Sequence, residues 1–207
     1  DILSVANNHV GDFGREAYTD TLARLRENEL FYTGGGENLV EAEQPVVFER
    51  YGMKVGYLGF SDVGPEWMVA NGGAGILSAK NPRFVEIIKN ASEKVDYLVI
   101  SFHWGDEYEP VHNTRQEYLA HTAIENGAKI VVGHHPHVAE DTERYQNGFI
   151  AYSLGNFIFD QGFSQATMAG MWLELKLFKN GDITVKENTV KLSRLFQPEN
   201  IIYGKEN

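Results

Sequence analysis

The chain has 207 residues, 43% of them hydrophobic, which is the size and make-up of one globular domain with its own core. A formal charge of −11 excludes general nucleic-acid binding, because a phosphate backbone requires a cationic face, and it means that an anionic substrate needs local cations. Cysteine is absent, which excludes disulfides and thiolate ligands and is compatible with either cytoplasm or a bacterial exterior.

No apolar run is long enough to span a bilayer, and the opening residues carry no signal-peptide pattern. The chain opens without methionine on an apolar strand, residues 2–6, and the expectation is a piece cut from something longer, with N-terminal strands missing. That strand ends in Asn7-Asn8-His9. After a turn at residues 11–14, in which Asp12 reads as a turn or capping residue, Tyr18, Leu22 and Leu25 recur at helical spacing up to about Asn28. Gly34-Gly35-Gly36 reads as loop. Residues 46–49 and 54–60 read as a hairpin joined at Tyr51-Gly52, and residues 61–78 as a long loop. Asn81-Pro82 predicts a helix start, with Phe84, Val85, Ile87 and Ile88 on its buried face.

Residues 97–102 are a nearly continuous apolar strand that runs into His103-Trp104-Gly105-Asp106-Glu107. A helix over residues 115–126 buries Leu119, Ala123 and Ile124 and stops at Gly127. Residues 129–132 form the next strand and deliver Gly133-His134-His135-Pro136-His137. Further strands are predicted at 149–154, 157–159, 171–178 and 183–195, with turns at Gly155-Asn156 and Asn180-Gly181. Strand and helix alternate first and antiparallel strands follow without a linker. The fold expectation is therefore α/β, a single domain over 1–207 with a largely parallel sheet, helices outside it and a second sheet packed on it.

Three strands end in polar groups of one chemical kind: Asn7-Asn8-His9, His103, and His134 to His137. Parallel strands bring their carboxyl ends to a common edge, where ligands collect in open α/β sheets. His135 and His137, at i and i+2, share a face if that segment is extended. Converged, these groups make a nitrogen and oxygen site without sulfur, suited to Zn, Mn or Fe, with carboxylate still needed to bridge two ions. Asp106 and Glu107 are candidates to orient imidazoles, or else a solvated acidic turn. Arg115 and Arg144 are candidates for phosphate or carboxylate binding, with surface charge the default. His112 and His121 read as structural.

The ordered set Ala6-Asn7-Asn8-His9 with Asp12 and Gly14, then His103-Trp104-Gly105, then Gly133-His134-His135-Pro136-His137-Val138, then Tyr152-Ser153-Leu154-Gly155-Asn156-Phe157 resembles the bacterial capsule-synthesis CapA family, also called poly-γ-glutamate biosynthesis proteins. The resemblance covers about residues 1–160 and places the chain in the metallophosphoesterase-like superfamily. It implies a two-sheet β-sandwich flanked by helices in four layers, with two divalent metal ions when the site is complete. By that match Asn8, His103, His135 and His137 are metal ligands and His9 is the acid at the leaving group. Asn7 and His134 stand where the superfamily motifs have glycine. The register Gly133-His134 fits as well, and the resemblance makes Asn7, His134 and Asn156 site-lining candidates. The superfamily's first metal-binding motifs, with the aspartate that bridges two ions, have no counterpart here.

Two functions follow as expectations. One is a metal-dependent, phosphoesterase-like hydrolase acting at a phosphoryl or acyl centre, with metal-activated water as nucleophile. The other is a non-catalytic accessory protein of capsule or poly-γ-glutamate assembly or export that binds metal and polymer carboxylates. The resemblance implies an anionic polymer or phosphoester partner, membrane-anchored partners of a capsule or polymer machine, and an extracytoplasmic or cell-surface setting with a membrane anchor upstream. A purely structural reading, in which the histidines hydrogen-bond backbone at the sheet edge, demands complete satisfaction of a buried polar cluster.

Overall fold

In the computed structural model, which describes residues 1–204, the chain runs β1 (Ile2–Ser4), α1 (Gly14–Glu27), β2 (Phe31–Thr33), β3 (Gly35–Gly36), α2 (Leu39–Ala42), β4 (Val46–Arg50) and β5 (Met53–Ser61). It continues through β6 (Gly75–Ile76), α3 (Phe84–Ser92), β7 (Tyr97–His103), α4 (Thr114–Glu125), β8 (Ile130–His134), β9 (Thr142–Tyr145) and β10 (Gly148–Ala151). It ends in β11 (Ala169–Leu177), β12 (Ile183–Leu192) and β13 (Pro198–Ile202). Residues 205–207 of the expected domain lie outside the described residues.

The main sheet has the order β4-β5-β7-β8-β10-β9. Its four inner strands are parallel, and its edges β4 and β9 pair antiparallel. Period-two alternation gives each strand two jobs. Leu98, Ile100 and Phe102 of β7, Val131 of β8 and Ile150 of β10 join one core with Ile87 and Ile88 of α3 and Leu119 and Ala123 of α4. The alternate residues face away from those helices. There Phe149 and Ala151 of β10 pack with Val185 of β12 and Met171, Leu173 and Leu175 of β11.

At the other end of that face lies the parallel pair β1–β2, tied to β5 by Thr33, whose hydroxyl donates to the Tyr57 carbonyl and accepts from Gly59 N–H. Helix α1 packs on this pair through Tyr18 and Leu22, which cluster with Val5, Met68 and Ile76. The α/β class and the flanking helices are as expected. The second sheet, however, comes in two pieces, β1–β2 and β11–β12–β13, separated by a groove.

Local differences have local causes. Gly35 and Gly36 pair with β6 instead of staying loop. Asn81 accepts from Arg83 N–H in a turn, so helix α3 starts at Phe84 and leaves Val85 38% exposed. Asn113 caps α4 in a reciprocal box with Gln116, so that helix starts at Thr114. Residues 157–159, expected as strand, form an exposed aromatic segment outside any ladder. The strand expected over 183–195 stops at Leu192, where the pairing shifts register, and β13 returns beside it; β9 was not expected.

Candidate metal centre

Strands β7 and β8 pair with His103 opposite His134, so register alone sets the two imidazoles side by side at the carboxyl edge. Both lie on the face turned away from α3 and α4, because their alternate neighbours Phe102 and Gly133 face the helices. Gly133 is required there: a Cβ would overlap the Tyr152 carbonyl oxygen, which accepts the Trp104 indole N–H at 2.8 Å. Burial, reinforced by the imidazoles of His135, His134, His137 and His9, pushes His103 down to about 2. Burial alone pushes His134 down to about 4. Both rings are thus neutral at ordinary pH, the form that coordinates metal.

The carboxyl end of β1 reaches the same place. His103 Nε2–H donates to Asn8 Oδ1 at 2.9 Å, across 95 positions of sequence. Asn7 turns back to accept His9 N–H at 2.7 Å. His9 Nδ1–H donates to Asp12 Oδ2 at 2.9 Å, and both side chains are more than half exposed. Asp12 is therefore the carboxylate that orients His9, rather than only a turn residue. The spacing of three was the available sequence signal.

His135 and His137 do not present themselves from an extended segment. Their φ angles are +104° and +61°, in the left-handed region that costs a non-glycine residue of order 1–3 kcal/mol. Strand pairing ends at His134 and Pro136 cannot donate, so the chain turns; Tyr108 N–H donates to the Pro136 carbonyl at 2.8 Å and holds it. The turn sets the His135 ring 4.9 Å from His103 and 6.2 Å from His137, centroid to centroid. Burial lowers His135 foremost, with His137 and His9 adding to the effect and Glu107 and Asp106 opposing it.

Asn156 decides the tautomer of His137. Its Nδ2 donates to the Thr167 carbonyl at 3.0 Å, which leaves Oδ1 to accept from His137 Nδ1–H at 2.9 Å. His137 Nε2 is then the unprotonated nitrogen, free to bind an ion. Glu107 completes a group: one ligand atom from each of Glu107, His135 and His137 lies within 4.8 Å of the others. Sequence reasoning had placed Glu107 outside the ligands, since a carboxylate after a strand looks like any solvated turn.

These residues fit a divalent ion. The donors are nitrogen and oxygen, and His135 Nδ1 is buried with no hydrogen-bond partner among the described residues, a state that a ligand would relieve. Replacing Asn156 by alanine frees the His137 ring, and the expected result is a roughly 10- to 100-fold weaker metal affinity by chelator competition.

The remaining candidates are engaged elsewhere. Asp106 accepts from Asn113, Arg115 pairs with Asp62 at 2.7 Å, and Arg144 lies over the Phe149 ring. His112 pairs with Asp141 and stacks on Tyr152, while His121 pairs with Glu143 and stacks on Tyr145. The cluster closes one end of the groove, a space of about 730 Å³ floored by Val99, Ser101 and Val132 and walled by Leu3 of β1 and Trp172 of β11.

The profile of the family described as bacterial capsule synthesis protein PGA_cap matches residues 1–161. The chain is 37% identical over 182 residues to PGA biosynthesis protein CapA of Bacillus subtilis (strain 168), covering 87% of this chain and 48% of that protein. It is 38% identical over 169 residues to capsule biosynthesis protein CapA of Bacillus anthracis, covering 79% of this chain and 41% of that one. It thus spans somewhat under half the length of these relatives. A crystal structure of a hypothetical protein from Thermus thermophilus superposes over 100% of this chain and 76% of its own, with TM-score 0.52 and 13% identity, a likeness of fold.

Proposed function

The chain belongs to the bacterial capsule synthesis protein family PGA_cap, and from that premise we propose that its strand-end cluster is a divalent-metal site for hydrolysis or transfer at a phosphoryl centre, in the service of capsule or poly-γ-glutamate assembly. The observation that carries the reading is the group formed by Glu107, His135 and His137, together with a buried His135 ring nitrogen that has no partner among the described residues. The same reading sets the domain at the cell surface. Among the described residues no helix is long and apolar enough to cross a membrane.

Glu107, His135 and His137 would hold the ion, with His103 and Asn8 beside them; Mn, Zn and Fe suit this donor set. A bound ion would supply a Lewis acid that polarises the phosphoryl oxygen and acidifies water. The chain's own residues do the rest. Asn156 holds the His137 tautomer, and Pro136 and Tyr108 hold the turn. Asp12 accepts from His9 Nδ1–H, so Nε2 is the atom that carries a proton to the leaving oxygen.

The test loads the chain with Mn, Zn or Fe, counts bound ions, and assays phosphomonoesters and phosphodiesters. His9→Ala is expected to keep its metal while turnover falls by about 100-fold or more, the usual range for a general acid. A loaded protein that turns over no phosphoester yet retains poly-γ-glutamate only when metal is present would replace this reading with that of an accessory binding protein.

A further inference from the structure

Gln116 lies on the first turn of α4 and is 1% exposed, deeper than a helix-capping residue needs to be. Its amide meets three separate pieces of chain. Oε1 accepts from Asn113 N–H at 2.8 Å, at the end of the segment that follows β7. At the start of that segment Gly105, with φ +80°, packs so closely that a Cβ would sit 2.7 Å from Gln116 Nε2. Nε2 donates to Glu140 Oε2 at 2.7 Å, and Glu140 lies three residues beyond His137 and is 4% exposed. One buried amide therefore bonds the end of residues 105–113, packs against their start and joins them to the chain leaving the histidine turn.

We propose that Gln116 and Glu140 are positioning residues that hold residues 105–113, and with them Glu107 and Tyr108, against the turn bearing His135 and His137. Neither residue touches the cluster; each acts through the backbone it fixes. Tyr108 is the visible consequence: its N–H reaches the Pro136 carbonyl, its ring stacks on His137 at 6.0 Å, and Glu107 beside it joins the histidine group.

Burying Glu140 also gives the fold a proton dependence. Glu140 Oε1 is buried with no partner among the described residues, and burial pushes the carboxyl up to about 7. The Gln116 hydrogen bond and His112 favour the charged form; Asp141 and Asp106 oppose it. A carboxyl raised in the folded state gives stability that is complete below its unfolded value near 4.5 and is lost as pH rises through 7. Charging Glu140 above that point therefore costs the fold a buried carboxylate, while the Gln116 hydrogen bond, which favours the charged form, is kept.

The experiment measures amide hydrogen exchange of the metal-free chain at pH 6 and pH 8, read at Tyr108, whose acceptor is Pro136 and not Gln116. Gln116→Ala is expected to lower Tyr108 protection by about 10-fold or more at both pH values. Glu140→Gln, isosteric and unable to ionise, keeps an acceptor for Gln116 Nε2–H and is expected to match the unmodified chain in Tyr108 protection at pH 6, while its thermal stability relative to the unmodified chain rises from pH 6 to pH 8. Tyr108 protection unchanged in Gln116→Ala, or lost in Glu140→Gln at pH 6, overturns the proposal. A second arm compares zinc affinity by chelator competition, where Gln116→Ala is expected to bind about 10-fold more weakly and equal affinity counts against the proposal. Only this arm rests on the metal reading: if the unmodified chain binds no metal, that reading fails while the exchange result still decides this one.

Discussion

Replacing His135 by alanine is expected to weaken divalent-metal affinity by about 100-fold or more, since loss of a ligand should exceed the 10- to 100-fold cost of losing an outer partner. The informative half of the experiment is the metal-free protein. His135 Nδ1 is buried without a partner among the described residues, and such an orphaned group typically costs about 1–3 kcal/mol. Removing the ring removes that penalty and leaves the backbone, with its positive φ, unchanged. The metal-free variant should therefore melt at or above the temperature of the unmodified chain. With metal at 100 times its dissociation constant, the order reverses, because the unmodified chain gains about 2.7 kcal/mol that the variant does not. A histidine present for packing or hydrogen bonding predicts the opposite, a metal-free variant that is less stable. Thermal unfolding with and without chelator separates the two.

The second large effect is expected at Gly133, which carries no functional group. Gly133→Ala sets a methyl into the Tyr152 carbonyl oxygen and against the Trp104 indole nitrogen, two groups already joined by a hydrogen bond. Trp104 and Tyr152 are both fully buried, and His112 stacks on the outer side of Tyr152, so neither can yield cheaply. Overpacking costs typically 1–3 kcal/mol; a clash against backbone belongs at the top of that range, about 3 kcal/mol. For a domain of this size that lowers the melting temperature by roughly 6–12 °C. Because His134 follows directly and pairs with His103, metal affinity should fall with stability. An unchanged melting temperature would show that β8 and β10 can separate locally, and that the strand edge is softer than its packing implies.

Both expectations draw on features that differ in how far they can be read from sequence. The polar endings of β7 and β8 were legible because two short-range rules suffice. Short apolar runs make buried strands, and strand–helix–strand connections make them parallel, so their carboxyl ends share an edge. His103 and His134 could thus be assigned to one edge before any contact was known, whereas Asn8 follows a strand of the other layer and meets His103 only once the two layers pack. The same rules identified the helices α1, α3 and α4 within a few residues of their bounds, since their buried faces repeat at the helical period.

What the sequence determined by itself, then, is the α/β class, the edge at which chemistry-bearing side chains collect and the absence of sulfur ligands. The tertiary structure alone decided how those side chains aim. The left-handed backbone at His135 and His137 depends on the Tyr108 bond to Pro136, and the His137 tautomer depends on an asparagine 19 positions away. Glu107 becomes a member of the cluster only because residues 105–113 are held over it. The division of the second layer into two sheets depends on which strands pair across the groove. The physical reason is range. Periodicity and strand direction are carried by neighbours in sequence, whereas side-chain aim is set by single hydrogen bonds between distant segments, and these exist only once the core has brought the segments together.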